Sequence, residues 1–348
     1  MAGLGALKRT MGFTMILVFA IFLGLITLIS VFFISDPVTT LILGLGGAFF
    51  LILLQYLIGP VIVRATSRLH YLAPGENRWL ETKVSQMASA SGIPMPRLAI
   101  SPDPTPNAFV FGRTQKSATL AVHQGLLQRL NEDEIEGVIA HELGHVKHRD
   151  FIVVTIISAI PLVAYLIARS VLWGGYVSGY SRGSNKNNSA GALIIIAVLA
   201  YVVYILTTLL ALRLTRLRES YADAYSAYLT KQPRELESAL TKIAYGLSLA
   251  PGEPHGARAF FIEDPAQAKQ DVAQIMDQKS KYDLDHDGVL SERELEMAME
   301  AESKSNWRKA AQLFMTHPPT YKRILMLREI EQEMNTGTFQ EATIYNHV

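Results

Sequence analysis

The chain has 348 residues, 49% of them hydrophobic and only 18% charged, with a formal net charge of +1. A charged share below the roughly 25% of ordinary soluble domains points to a bilayer, and the near-neutral balance gives no sign of a nucleic-acid partner. The chain has no cysteine, which excludes disulfides, thiolate metal ligands and a cysteine nucleophile.

After Lys8 and Arg9, residues 11–34 form an uncharged apolar run. It has neither the short core nor the small-residue cleavage site of a signal peptide. Past Ser35-Asp36-Pro37 a second run covers 38–63. Each exceeds the ~20 residues that cross a bilayer as a helix, so 1–63 reads as a transmembrane hairpin.

From 64 to 150 the composition turns soluble. Residues 77–91 have the pattern of an amphipathic helix, ended by Gly92. Pro94, Pro96, Pro102, Pro104 and Pro106 then punctuate short extended pieces. Apolar strands at 107–112 and 118–123, joined by polar 113–116, predict a hairpin, and a short helix at 124–130 follows. Asn131 with Glu134 makes a capping box, and an apolar helical rhythm leads from it into His141-Glu142-Leu143-Gly144-His145.

That stretch reads H-E-x-x-H. On a helix the two histidines lie one turn apart on one face, able to share a Zn²⁺, with Glu142 beside them to take a proton from water. The same letters also fit a helix whose histidines merely sit on its surface or cap it.

A third span is expected at 151–173, kinked by Pro161, with Arg169 snorkelling from its far end. A polar loop at 174–189 leads to a fourth span at 190–212, and 213–348 is soluble and mostly helical. Lys8, Arg9, Arg64, Arg68, Arg78, Lys147, Arg149, Arg213, Arg216 and Arg218 fall on one side of this arrangement. Arg182, Lys186 and a snorkelling Arg169 fall on the other, so the first side is cytoplasmic. Both termini and both soluble parts, 64–150 and 213–348, share it.

Two histidines and a water leave tetrahedral zinc one ligand short. His148 lies two turns from His141 and reads as a surface residue. A metzincin histidine would fall at position 151, which is Phe151. Directly after the fourth span, Glu219 and Asp223 stand one turn apart: the first can ligate zinc while the second orients a ligand histidine. The pair fits the charged start of a juxtamembrane helix equally well. Topology favours the ligand, because spans three and four return the chain to the face that the H-E-x-x-H helix left.

Taken in order, Asn107-Ala108-Phe109, His141-Glu142-Leu143-Gly144-His145, Asp150, Glu219 with Asp223, and His317-Pro318-Pro319 resemble the HtpX family of integral-membrane zinc endopeptidases. These are distant relatives of the CAAX prenyl proteases. The likeness runs from the first span to about Arg323. It implies that His141, His145 and Glu219 bind zinc, that Glu142 is the catalytic base, and that Asp150 and Asp223 support the ligands. It also implies that the strand after Asn107, with Ala108 and Phe109, offers a free edge to an extended polypeptide. Misfolded or damaged membrane proteins are the implied substrates, and a prokaryotic plasma membrane the implied location. His317 can stabilise the developing oxyanion or be incidental to a turn built by two prolines. Arg323 can pair with a carboxylate near the site.

Residues 283–294 match an EF-hand loop that the resemblance does not account for. Asp283, Asp285, Asp287, Val289, Ser291 and Glu294 would supply the oxygens for Ca²⁺, and Gly288 the sharp turn. An acidic turn that never fills is the plainer reading of the same letters.

The expectation is a mainly α membrane protein: four transmembrane helices plus a zincin-like cytoplasmic α+β catalytic domain with a small sheet. A calcium-responsive membrane adaptor with a structural zinc site is the rival. A zinc transporter would need more ionisable residues inside its spans than Arg169 alone.

Overall fold

The computed structural model describes residues 9–10, 12–21, 23–24, 37–179, 187–248, 279–284, 294, 297–298 and 312–339. The protein is mostly helical, with one small mixed sheet. It divides into two units, one taking in Gly59–Phe151 and Thr215–Val348, the other Gly5–Ile58 and Ile152–Leu214.

In chain order, α1 (Gly12–Ile21) carries part of the first apolar run, and α2 (Pro37–Thr66) carries the second. The remainder of the expected first span lies outside the described residues. Next come β1 (His70–Tyr71), α3 (Arg78–Ser91), β2 (Arg97–Ser101), β3 (Ala108–Phe111), β4 (Thr119–His123), α4 (Gln124–Arg129) and α5 (Glu132–His148). They are followed by α6 (Asp150–Gly179), α7 (Asn187–Thr230), α8 (Pro233–Ser248), α9 (Lys279–Tyr282) and α10 (Thr320–Asn335). Among the described residues, three helices are long and apolar enough to cross a membrane: Leu45–Thr66, Asp150–Arg169 and Ile194–Thr230.

Local signals set the helix ends. Asn77 Oδ1 accepts the Leu80 N–H at 3.1 Å, and Gly92 closes α3 at φ 64°, where glycine has no Cβ to strain. At the start of α5 both halves of the capping box are made: Asn131 Oδ1 accepts the Glu134 N–H, and Glu134 Oε2 accepts the Asn131 N–H, each at 2.9 Å. Arg149, in the left-handed region at φ 58°, separates α5 from α6.

Two expectations change. The polar loop at 174–189 is shorter, because helix persists to Gly179 and resumes at Asn187, with 180–186 outside the described residues. And no helix starts near Glu219. α7 runs unbroken for 44 residues, so the segment expected as a fourth span and the Glu219–Asp223 turn belong to one helix. At 1.5 Å per residue that helix is about twice as long as the hydrocarbon core is thick. With neither proline nor glycine after Gly191, nothing stops it at the bilayer edge.

The sheet order is β1-β2-β4-β3, with β2 and β4 parallel and the outer pairs antiparallel. The expected hairpin is the β3–β4 pair, and β4, paired on both sides, is buried along its whole length. β3 is an edge strand. The His123 N–H donates to the Asn107 carbonyl at 2.9 Å, which sets the phase of the ladder. Phe109 and Phe111 therefore bond toward β4, while Ala108 and Val110 turn their N–H and C=O groups to the free edge.

Glycines let α5 approach its neighbours. A Cβ on Gly144 would meet Ala222 Cα at 3.2 Å and Tyr225 Cδ1 at 3.3 Å, and one on Gly137 would meet Leu236 N at 3.2 Å. The Ser226 hydroxyl donates to the Gly137 carbonyl at 2.7 Å and ties α7 to α5. In the second unit, Ala164, Ala168 and Ala200 pack in one buried cluster, small residues that let membrane helices approach closely.

Candidate metal centre

α5 presents His141 and His145 on one face, and α7, seated against Gly144, presents Glu219 to them. His141 Nδ1 meets Asp223 Oδ1 at 2.8 Å, and His145 Nδ1 meets Asp150 Oδ2 at 2.6 Å. With each Nδ1 committed to a carboxylate, the Nε2 lone pairs are the free ones, and they face each other at 3.2 Å. Glu219 completes the triangle, with Oε2 3.5 Å from His141 Nε2 and Oε1 3.6 Å from His145 Nε2.

Three acceptor atoms converging in a buried space repel one another unless a cation sits among them. The separations suit one: ligands ~2.1 Å from a tetrahedral ion lie about 3.4 Å apart. Charge points the same way. Four buried carboxylates, Glu142, Asp150, Glu219 and Asp223, face two buried guanidiniums, Arg218 and Arg323. The imbalance equals one divalent ion. Burial opposes charging of His141, but its hydrogen bonds to Asp223 and Glu219 prevail and push its pKa up to about 9.

Glu142 points into the same buried region without joining the triangle. Burial raises its pKa, against the pull of the two histidines and a hydrogen bond from the Val110 backbone. The free edge of β3 thus meets the carboxylate that stands beside the two histidines.

His317 enters from the turn before α10. Its Nδ1 lies 3.2 Å from Glu219 Oε2, and its Nε2 has no hydrogen-bond partner among the described residues. One turn further, Arg323 is the largest fully buried side chain among the described residues and grips Asp223 with a fork, Nε to Oδ2 and Nη2 to Oδ1, both 2.7 Å. The carboxylate expected for Arg323 is therefore Asp223.

Sequence reasoning missed two groups and misplaced a third. Arg218 reads as one of several basic residues at a span end, yet it is 3% exposed and its Nη2 meets Asp150 Oδ1 at 2.6 Å. Its partner is remote in sequence, so no spacing announces the pair. Val110 was missed because edge phase depends on strand register; it shares the free-edge phase with Ala108, while Phe109 bonds toward β4 and the Asn107 carbonyl accepts from His123. His148 is half-buried rather than fully exposed. Its ring packs edge-on against Tyr225 at 5.5 Å and Tyr221 at 6.3 Å, outside the ligand cluster, and burial lowers its pKa to about 4.

In the calcium loop, Asp283 and Glu294 are buried, and the Leu284 N–H donates to Glu294 Oε1 at 2.6 Å. Asp285, Asp287, Val289 and Ser291 lie outside the described residues.

A helix-borne histidine pair, a carboxylate between them and a third donor from a following helix together define a metallopeptidase site. The family model for peptidase family M48 matches residues 74–331, and the chain belongs to that family. It is a metalloendopeptidase whose substrates are polypeptides. It is 36% identical to the protease HtpX homolog of Methanothermobacter thermautotrophicus over 245 residues, 68% of this chain and 90% of that one. It is 31% identical to protease HtpX homolog 2 of Methanosarcina mazei over 333 residues, 94% of this chain and 97% of that one. Among solved structures, Ste24p of S. mikatae is similar over 89% of this chain and 62% of that one, with a TM-score of 0.49 and 16% identity.

Proposed function

We propose that this chain is a four-span, zinc-dependent endopeptidase that cleaves misfolded or damaged membrane proteins on the cytoplasmic side of a prokaryotic plasma membrane. The triangle of two Nε2 atoms and one carboxylate, with edges of 3.2 to 3.6 Å, carries the reading. An all-nitrogen and oxygen donor set of this size suits Zn²⁺, with His141, His145 and Glu219 as ligands. When bound, the ion supplies Lewis acidity to the scissile carbonyl and acidifies the attacking water.

Glu142 accepts the proton of that water and hands it to the leaving amine. Burial raises its pKa, which favours taking that proton up. An extended polypeptide adds to the free edge of β3 through Ala108 and the Val110 carbonyl, backbone bonds that are indifferent to most side chains. That suits a substrate recognised by being unfolded. His317 donates to the carbonyl oxygen as negative charge develops there. Asp150 and Asp223 hold the tautomers of the two ligand histidines.

The test uses detergent-purified protein and casein. Chelation should abolish hydrolysis, and one equivalent of zinc per chain should restore it. Hydrolysis that survives complete removal of metal defeats the proposal.

A second cation belongs to the reading. Burial of Asp283 and Glu294, the first and twelfth loop positions, with the Leu284 N–H on Glu294, supports Ca²⁺ at 283–294. An ion that binds only the folded chain at a hundredfold excess over Kd stabilises it by about 2.7 kcal/mol. Millimolar Ca²⁺ should raise the melting temperature, and Asp283→Ala with Glu294→Gln should remove the rise. Unchanged melting in both proteins leaves an acidic turn. The adaptor reading is set aside, since the chain belongs to a peptidase family.

A further inference from the structure

The short 3-10 turn Gln312–Phe314, just ahead of His317, holds two adjacent apolar side chains in the open. Leu313 is 53% exposed and Phe314 66% exposed, while the next residue, Met315, is buried. Single exposed apolar residues are ordinary on any protein. This pair differs in what fastens it. Arg216 Nη1 donates to the Leu313 carbonyl at 3.2 Å and to the Met315 carbonyl at 2.7 Å, clasping the backbone on both sides of Phe314.

Arg216 sits on α7 one turn beyond Leu212, where the uncharged apolar run of that helix ends. The first charge after the run, Arg213, is exposed. Arginines that follow directly on a spanning segment lie at headgroup level. One turn adds about 5 Å along the axis, so the group that clasps the turn is still within the interfacial zone. An apolar pair fastened at that level of α7 is within reach of a lipid surface.

We infer that Leu313 and Phe314 form an interfacial anchor that inserts into the lipid surface beside the metal centre. The occupant is the bilayer itself. The inference rests on the reading of α7 as a membrane span. A leucine and an aromatic next to an arginine are the residue types that partition into the headgroup and acyl boundary. The anchor lies three residues before His317 and six before the start of α10, which carries Arg323.

The test exploits the cysteine-free chain. Phe314→Cys and, as a solvent-facing control, Asn335→Cys are each labelled with one environment-sensitive fluorophore in the full-length protein. Both are reconstituted into phosphatidylcholine vesicles with or without a lipid spin-labelled near its headgroup. Emission from position 314 should be blue-shifted and quenched severalfold more than emission from 335. Leu313→Cys repeats the measurement should Phe314→Cys misfold, with a cooperative melting transition like that of the unsubstituted protein reporting the native state. Equal quenching at the turn and at 335 overturns the anchor, whatever the activity. Strong quenching at the turn in protein that never hydrolyses casein sustains the anchor while counting against the peptidase reading, so the two fail separately.

Discussion

The two ligand histidines are held by matching arms that differ in stiffness. In one arm His141 meets Asp223, and Arg323 closes on both Asp223 oxygens, with none of the three side chains more than 1% exposed. In the other, His145 meets Asp150, which Arg218 touches through Nη2 alone, and the His145 side chain is 14% exposed. A bidentate fork fixes angle as well as distance, whereas a single contact leaves the carboxylate free to rock. The location explains the difference. Asp223 lies mid-helix and is gripped from α10, while Asp150 begins α6 just past the left-handed Arg149. By the number of charged contacts on its carboxylate, the His141 arm is the more firmly held of the two.

The largest effects come from groups common to both arms. Glu219→Ala deletes the carboxylate that faces both Nε2 atoms, so metal content measured by atomic absorption should fall with proteolysis. Glu142→Ala should lower the casein rate by at least the ~10²–10⁴ of general-base catalysis, with metal retained at one per chain. Loss of metal from this variant would mean that Glu142 is a ligand.

Next comes the direct contrast between arms. Arg323→Ala strands the buried Asp223, an uncompensated charge that costs about 3–5 kcal/mol in thermal unfolding. Arg218→Ala should cost less in melting and weaken metal binding by ~10–100-fold, as loss of an outer-shell partner does. The lysine variants sharpen the point. Lysine cannot form a fork, so Arg323→Lys should resemble Arg323→Ala, whereas Arg218→Lys should recover most of its metal affinity in a competition titration. Equal rescue at both positions would erase the distinction between the arms.

The smallest effect belongs to His148, which flanks the His145 arm. Its folded pKa lies near 4 against 6.5 in an unfolded chain, so the unfolded state takes up the proton first as pH falls. Its contribution is complete above about pH 6.5, declines between 6.5 and 4, and levels off below. His148→Phe should flatten that part of the stability profile relative to the unsubstituted protein, measured by urea unfolding across the range. A profile with the same slope in both proteins would place His148 outside the packing between Tyr221 and Tyr225.

The sequence by itself settled whatever is written in local periodicity. The apolar runs, the Asn131 capping box, the Gly92 stop, the β3–β4 hairpin and the one-turn spacing of His141 and His145 are all contacts between near neighbours, so composition and spacing announce them. Family resemblance carried the reading further, to Glu219, Asp150, Asp223 and His317. Tertiary structure alone decided the rest. That Arg323 takes Asp223, that Arg218 is buried on Asp150, and that His148 packs against tyrosines depend on how close α5, α6, α7 and α10 come, and Gly144 sets part of that distance. A buried ion pair leaves no periodic trace, because its partners are far apart along the chain and are joined only by the cost of leaving either charge alone.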